Sequence, residues 1–305
     1  MNNVSSFKTM FLMLVLIGFS IFLFYWQFSF YPTNYSDEML ILSIGPKKYD
    51  LGKPDQKYLL HDDLREISGL SYYQKNQLAC IQDEDGVVFI YDLQKSKLVS
   101  RGKFGDKGDF ESVEIVRDTA YVLKSNGNIY YFPLFQSETK KTKIIKTGLS
   151  SKNDTEGLAY IIADDKIAIV CKGSNSHQMY TTDNLAIYTV DLKSKSFNPQ
   201  PDIELSLDDI RTSLDSHGLD RKNHLPFNPS AIALHPITQE IILLSSTGKL
   251  LLKTDLNGKI VSTIPLHRKV FSQPEGICFD PDGTLYISSE GKSGPGYILQ
   301  FNPRQ

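Results

Sequence analysis

The sequence predicts an all-β fold, a five-bladed β-propeller with four-stranded blades, preceded by one transmembrane helix. Three observations lead there. A short motif recurs five times, each copy leads into several strand-like runs separated by turn residues, and a long apolar segment stands alone at the N-terminus.

The repeat reads Ile-Ser-Gly-Leu-Ser-Tyr at 67–72, Glu-Ser-Val-Glu-Ile-Val at 111–116, Glu-Gly-Leu-Ala-Tyr-Ile at 156–161, Ser-Ala-Ile-Ala-Leu-His at 230–235 and Glu-Gly-Ile-Cys-Phe-Asp at 275–280. Aligning Ser68, Glu111, Glu156, Ser230 and Glu275 gives intervals of 43, 45, 74 and 45 residues. A period near 45 residues with four strands per unit is that of a propeller blade. Second strands follow the motif as Ile-Ala-Ile-Val-Cys or Leu-Tyr-Ile-Ser-Ser, and third strands as Val-Val-Phe-Ile-Tyr-Asp-Leu from Val87 or Leu-Ala-Ile-Tyr-Thr-Val-Asp-Leu from Leu185. A fourth follows Asn257-Gly258 as Val-Ser-Thr-Ile-Pro.

The last repeat ends after its third strand, while Lys57-Tyr58-Leu59-Leu60 reads as a strand without a repeat of its own. The N-terminal segment is therefore expected to close the final blade, because the ring must close for every blade to bury both faces. The long interval holds an insertion at about 197–227. Within it Leu207, Ile210 and Leu214 share one face of a helix that Ser206 caps and Gly218 ends. That helix is expected either to cover the channel mouth or to pack on the rim of a blade.

From Met10 to Phe24 the chain is almost unbroken apolar residues, followed by the aromatic group Tyr25, Trp26, Phe28, Phe30 and Tyr31. This is the length and flanking chemistry of a membrane helix, and no small-x-small site marks it for cleavage. With Lys8 before it and Asp37 and Glu38 after it, the positive-inside rule keeps the N-terminus in the cytoplasm. Residues 1–36 are thus expected to be cytoplasmic N-terminus and signal anchor, and residues 37–305 the propeller, outside the cytoplasm on the cell inner membrane. The net charge of −2 excludes the basic footprint of a nucleic-acid binder. Cys80, Cys171 and Cys278 sit singly in apolar runs and read as buried free thiols.

Inner strands of a propeller start at one face of the channel, so Glu111, Glu156 and Glu275 are expected to meet at its mouth. Glu66, before the first motif, and Asp83 and Glu290, after second strands, are expected neighbours. Carboxylates about 5 Å apart repel by about 3 kcal/mol at an effective dielectric near 20, so such a set takes up protons, spreads into water or binds a cation. Oxygen donors suit a hard cation, Ca2+. The plainer reading of each glutamate is a solvated carboxylate accepting backbone N–H groups from the next blade.

The motifs Glu-Ile-Ser-Gly-Leu-Ser-Tyr at 66–72, Gln-Asp-Glu-Asp-Gly at 82–86, Asp-Phe-Glu-Ser-Val-Glu at 109–114, Asp-Thr-Glu-Gly-Leu-Ala-Tyr at 154–160 and Gln-Pro-Glu-Gly-Ile-Cys-Phe-Asp-Pro-Asp-Gly at 273–283 resemble, in order, those of the SdiA-regulated family, itself distantly similar to NHL-repeat propellers. That resemblance implies a membrane segment, a five-bladed propeller and a bound calcium ion, and no established reaction. Ser112 stands where the second motif would carry glycine, and Ser230-Ala231 where the fourth would carry Ser-Gly. No serine nucleophile has a histidine at a motif position, and the histidines lie in loops or insertions, with His235 and His267 read as turn caps. The function expected is an extracytoplasmic module binding a small ligand or protein partner. A calcium-dependent hydrolase or lactonase of the NHL-like type stays as the alternative.

Overall fold

The computed structural model describes residues 35–134, 142–172, 184–224 and 227–305. The expected membrane helix and its topology lie outside the described residues. Strand β1 (Ile41–Ile44) and β2 (Lys47–Asp50) form a hairpin that the sequence reading did not anticipate, and β3 (Gln56–Leu59) follows. Blade 1 contains β4 (Ile67–Gln74), β5 (Gln77–Gln82), β6 (Val87–Asp92) and β7 (Lys97–Lys103). Blade 2 contains β8 (Phe110–Val116), β9 (Thr119–Lys124), β10 (Ile129–Pro133) and β11 (Lys143–Ile145). In blade 3 these are β12 (Thr155–Ile161), β13 (Lys166–Cys171), β14 (Asn184–Asp191) and β15 (Ile203–Ser206). After helices α1 (Leu207–Ser216) and α2 (Arg221–His224) come β16 (Ala231–Leu234), β17 (Ile241–Ser245), β18 (Leu250–Thr254) and β19 (Ile260–Pro265) of blade 4. Blade 5 takes β20 (Pro274–Phe279), β21 (Leu285–Ser289) and β22 (Tyr297–Phe301).

Every sheet is an antiparallel meander, and blade 5 is completed by β3, whose Lys57 and Leu59 stand opposite Leu299 and Tyr297 of β22. The five-bladed ring and its closure follow the sequence reading, with the closing strand beginning one residue earlier than Lys57. The expected insertion is shorter at its start: β15 lies inside 197–227 and is the fourth strand of blade 3. Ser206 caps α1 by accepting from the N–H groups of Asp208 and Asp209, and Ile210 and Leu214 are buried. Because α1 packs on β15 and β19, both outermost strands, it sits on the rim of blades 3 and 4 and not over the channel.

The hydrophobic core is divided between successive sheets. In β5, Leu78 and Cys80 turn toward Tyr286 and Ile298 of blade 5, while Ala79 and Ile81 turn toward Val113 and Val122 of blade 2. Alternation of side chains puts one half of each strand on each face, and both faces are covered, so the middle strands read as continuous apolar runs. The hairpin β1–β2 joins the same scheme by burying Leu42, Ile44 and Tyr49 in the core shared by blades 4 and 5.

The inner strands approach too closely for a side chain at one position. A Cβ on Gly69 would lie 2.9 Å from Ser112 Cα, one on Gly157 2.9 Å from Ile232 N, and one on Gly276 3.1 Å from Leu70 N. Backbone atoms cannot swing aside as a rotamer does, so these contacts act as overpacking. Gly69→Ala and Gly157→Ala should each cost about 2 kcal/mol and lower the melting midpoint by roughly 4–8 °C. Gly105→Ala, at a site with nothing within 4 Å of the new methyl group, should leave it in place. Equal midpoints for all three variants would show that the inner ring is slack.

Candidate functional site

At the start of the inner strands of blades 1, 2, 3 and 5 the pairing slips by one residue, between Ile67 and Gly69, Phe110 and Ser112, Thr155 and Gly157, and Pro274 and Gly276. The skipped residues are Ser68, Glu111, Glu156 and Glu275, the first position of the sequence motif in those blades. A β-bulge re-aims the side chain it carries, and bulges concentrate beside functional sites. Two of the motif serines use the position to fasten the ring: Ser68 donates to the Phe110 carbonyl at 2.7 Å and Ser230 to that of Pro274 at 2.9 Å. Ser112, one residue further on, accepts from the Leu158 N–H at 3.0 Å. Its departure from glycine is thus an inter-blade hydrogen bond.

The three glutamates are enclosed by the ring. Burial, then the carboxylates of Glu156 and Asp109, push Glu111 up to about 9. Glu156 is 7 % exposed. Burial pushes it up to about 7, although the Lys172 ammonium 3.1 Å away pulls it down. Burial and then Glu290 push Glu275 up to about 7. Asp83 and Glu290 are raised in the same way, by burial first, with Glu66 next for Asp83 and Asp83 next for Glu290. The six predicted residues therefore form two neighbouring groups, Glu111 with Glu156 and Glu275, and Glu66 with Asp83 and Glu290. Glu275 joins them, because it senses both Glu290 and Glu156.

Four contributors were missed from sequence. Asp109 and Asp154 each lie two residues before a motif glutamate and raise Glu111 and Glu156. Lys172 follows β13, the place held by Asp83 after β5 and Glu290 after β21. The signal was that positional equivalence: one blade carries a base where two others carry acids. Lys249 adds a second positive group by donating to the Ser272 carbonyl at 2.7 Å, and burial pushes it down to about 8.

The donor set is chemically that of a hard cation: carboxylate oxygens only, with Asp83 Oδ1 buried and lacking a hydrogen-bond partner. Among the described residues no three acidic, histidine or cysteine side chains are drawn together as a metal cage. Cys80, Cys171 and Cys278 are free and buried as expected, their thiols pushed up by burial. His235 and His267 cap turns, accepting from the N–H groups of Thr238 and Lys269. Ser289 accepts from the Gln273 N–H, and Ser288 Oγ is buried without a partner.

The pattern of the SdiA-regulated family matches residues 53–293. No curated protein matches the chain in sequence. Among solved structures, the glutaminyl cyclase of Myxococcus xanthus covers 82 % of this chain and 95 % of its own at 12 % identity, with a TM-score of 0.53. A gluconolactonase of Xanthomonas campestris covers 77 % of this chain and 72 % of its own at 10 % identity, with a TM-score of 0.48. At such identities the first likeness is one of fold alone.

A carboxyl whose value is higher in the folded chain holds its proton more tightly there, so its contribution to stability is complete in acid and is lost as pH climbs through the folded value. Glu111, Glu156 and Glu275 act in that sense, from the ordinary glutamate range to about 9, as does Glu114, while Lys249, His224 and His235, which burial pushes down, oppose them. With a chelator present, the melting midpoint should decline between about pH 5 and about pH 9. Glu111→Gln should flatten the decline and raise the midpoint at the alkaline end. An unchanged slope in that variant would mean that Glu111 is solvated.

Proposed function

Because the chain belongs to the SdiA-regulated family, we propose that it is a membrane-anchored, calcium-binding propeller serving as an extracytoplasmic module for a small ligand or protein partner. The observation that carries this reading is the convergence of acids from blades 1, 2, 3 and 5 on one end of the channel, where bulged inner strands aim Glu111, Glu156 and Glu275 and burial raises these three carboxyls with those of Asp83 and Glu290. Unneutralised carboxylates in that setting favour any species that brings positive charge. Lys172 supplies part of it to Glu156, and a divalent cation would supply the remainder. Glu111, Glu156 and Glu275 would hold calcium, with Glu66, Asp83 and Glu290 as further oxygen donors. The anchor rests on the apolar run of residues 10–24, its aromatic flank and Lys8.

Calcium that binds only the folded chain must stabilise it, by about 2.7 kcal/mol at a hundredfold excess over Kd, or roughly 5–10 °C in the midpoint. Melts of the full chain in detergent, first with chelator and then with calcium, should show that rise, and Glu275→Gln should reduce it. A midpoint that calcium does not move rejects the cation. For the topology, protease added to spheroplasts should digest the propeller, and full protection would reverse it. Turnover of esters or lactones by the purified chain would place it among hydrolases instead.

A further inference from the structure

The far end of the channel holds a second chamber. Three residues along each inner strand from the motif position stand Ser71, Glu114, Ala159, Ala233 and Cys278. At 3.3 Å per residue this level lies about 10 Å deeper than Glu111. These residues from all five blades line one cavity of about 210 Å³. Four of the five are small, and Ser71, Ala159, Ala233 and Cys278 are all buried. Only blade 2 sends in a long side chain, and it ends in a carboxyl. Beyond it the chamber is walled by Tyr72, Tyr160 and Phe279.

We infer that this chamber is a binding site for a small amine with an apolar body, whose ammonium pairs with Glu114 while its hydrocarbon part fills the space left by the small residues of the other blades. Ser71 stands beside the carboxyl: its hydroxyl accepts from the Ile115 N–H at 3.0 Å and pulls Glu114 down against its burial. The surrounding charges favour a cation. Asp280 and Asp282 act on Tyr72, and Asp280 and Glu114 act on the Cys278 thiol. Asp118 acts on Tyr73. One base at this end, Arg117, is committed to Asp165 at 2.8 Å. His235, edge-on to Phe279, is held neutral by burial. Among the described residues that line the cavity none is a base that could receive an anion. At 210 Å³ the space is below that of drug-sized ligands, which sets the occupant at one ring or a short branched chain.

The site also predicts a proton count. Burial pushes Glu114 up to about 8, so at neutral pH its carboxyl keeps its proton until a cation pairs with it. Pairing with an ammonium requires the carboxylate, and that proton is released to solvent as the amine binds. The inference is independent of calcium at the mouth.

Cyclohexylamine is a suitable probe, with cyclohexanol as its neutral counterpart. Calorimetric titration of the full chain in detergent near neutral pH, in two buffers of different ionisation enthalpy, should give saturable amine binding with release of about one proton. Glu114→Gln should weaken binding about tenfold or more and abolish the proton release. It removes a half-buried acid that burial raises, so its melting midpoint should match or exceed that of the parent. Ala159→Leu, which fills the chamber from a neighbouring blade, should block the amine with Glu114 still present. The inference is overturned if cyclohexylamine shows no saturable binding, if cyclohexanol binds as tightly, or if Glu114→Gln retains the parent's affinity.

Discussion

Everything in this molecule depends on how closely five inner strands approach one another around a narrow axis. Gly69, Gly157 and Gly276 mark the tightest points, where an added methyl group would meet the next strand's backbone at about 3 Å. Blades 2 and 4 meet the same constraint with Ser112 and Ala231, and Ser112 turns the proximity into a hydrogen bond to blade 3. Nearness at this level lets Ser68 and Ser230 reach the carbonyls of the following blades. The strand closing blade 5 from the N-terminal side secures the ring, since each blade has a buried face only while both neighbours are present.

That tight ring also explains the electrostatics of the mouth. Carboxylates placed just outside the narrowest level lose water to the surrounding backbone, which favours their protonated form. The bulges at Glu111, Glu156 and Glu275 aim them into one another's fields, and Lys172 pairs with Glu156 and acts more weakly on Glu275. The fold retains a cluster of carboxyls whose ionisation costs stability.

Much of this was legible in the sequence because propeller geometry repeats: equal spacing in the chain becomes equal height on the channel axis. The blade number, the closing strand near Lys57 and the capped helix after Ser206 all followed from spacing and local chemistry. The bulges did not, since an extra residue in one strand is seen only against its partner. Lys172 and Asp154 were hidden for a related reason, because they stand opposite each other across a β-hairpin and matter through that pairing. The hairpin β1–β2 has no counterpart in the repeat, and its Tyr49 contacts His235 and the Gly283 carbonyl far along the chain. β15 was absorbed into the insertion because nothing in Ile-Glu-Leu-Ser distinguishes an outer strand from a loop.

Glu114 shows what the repeat conceals and how to recover it. Read along the chain, it is one of two acids in Glu-Ser-Val-Glu and looks like a solvated strand residue. Read across the blades, its position is otherwise Ser, Ala, Ala and Cys. A scaffold that brings equivalent positions together around an axis makes the odd residue of a set stand out, since packing alone asks the same of each blade. Glycine or a small residue at the level of closest approach satisfies that demand. A carboxyl among small residues does not, and Lys172 among acids does not. At the mouth the equivalent glutamates Glu111, Glu156 and Glu275 are joined by one departing base, Lys172, whereas at the far end Glu114 is itself the departure.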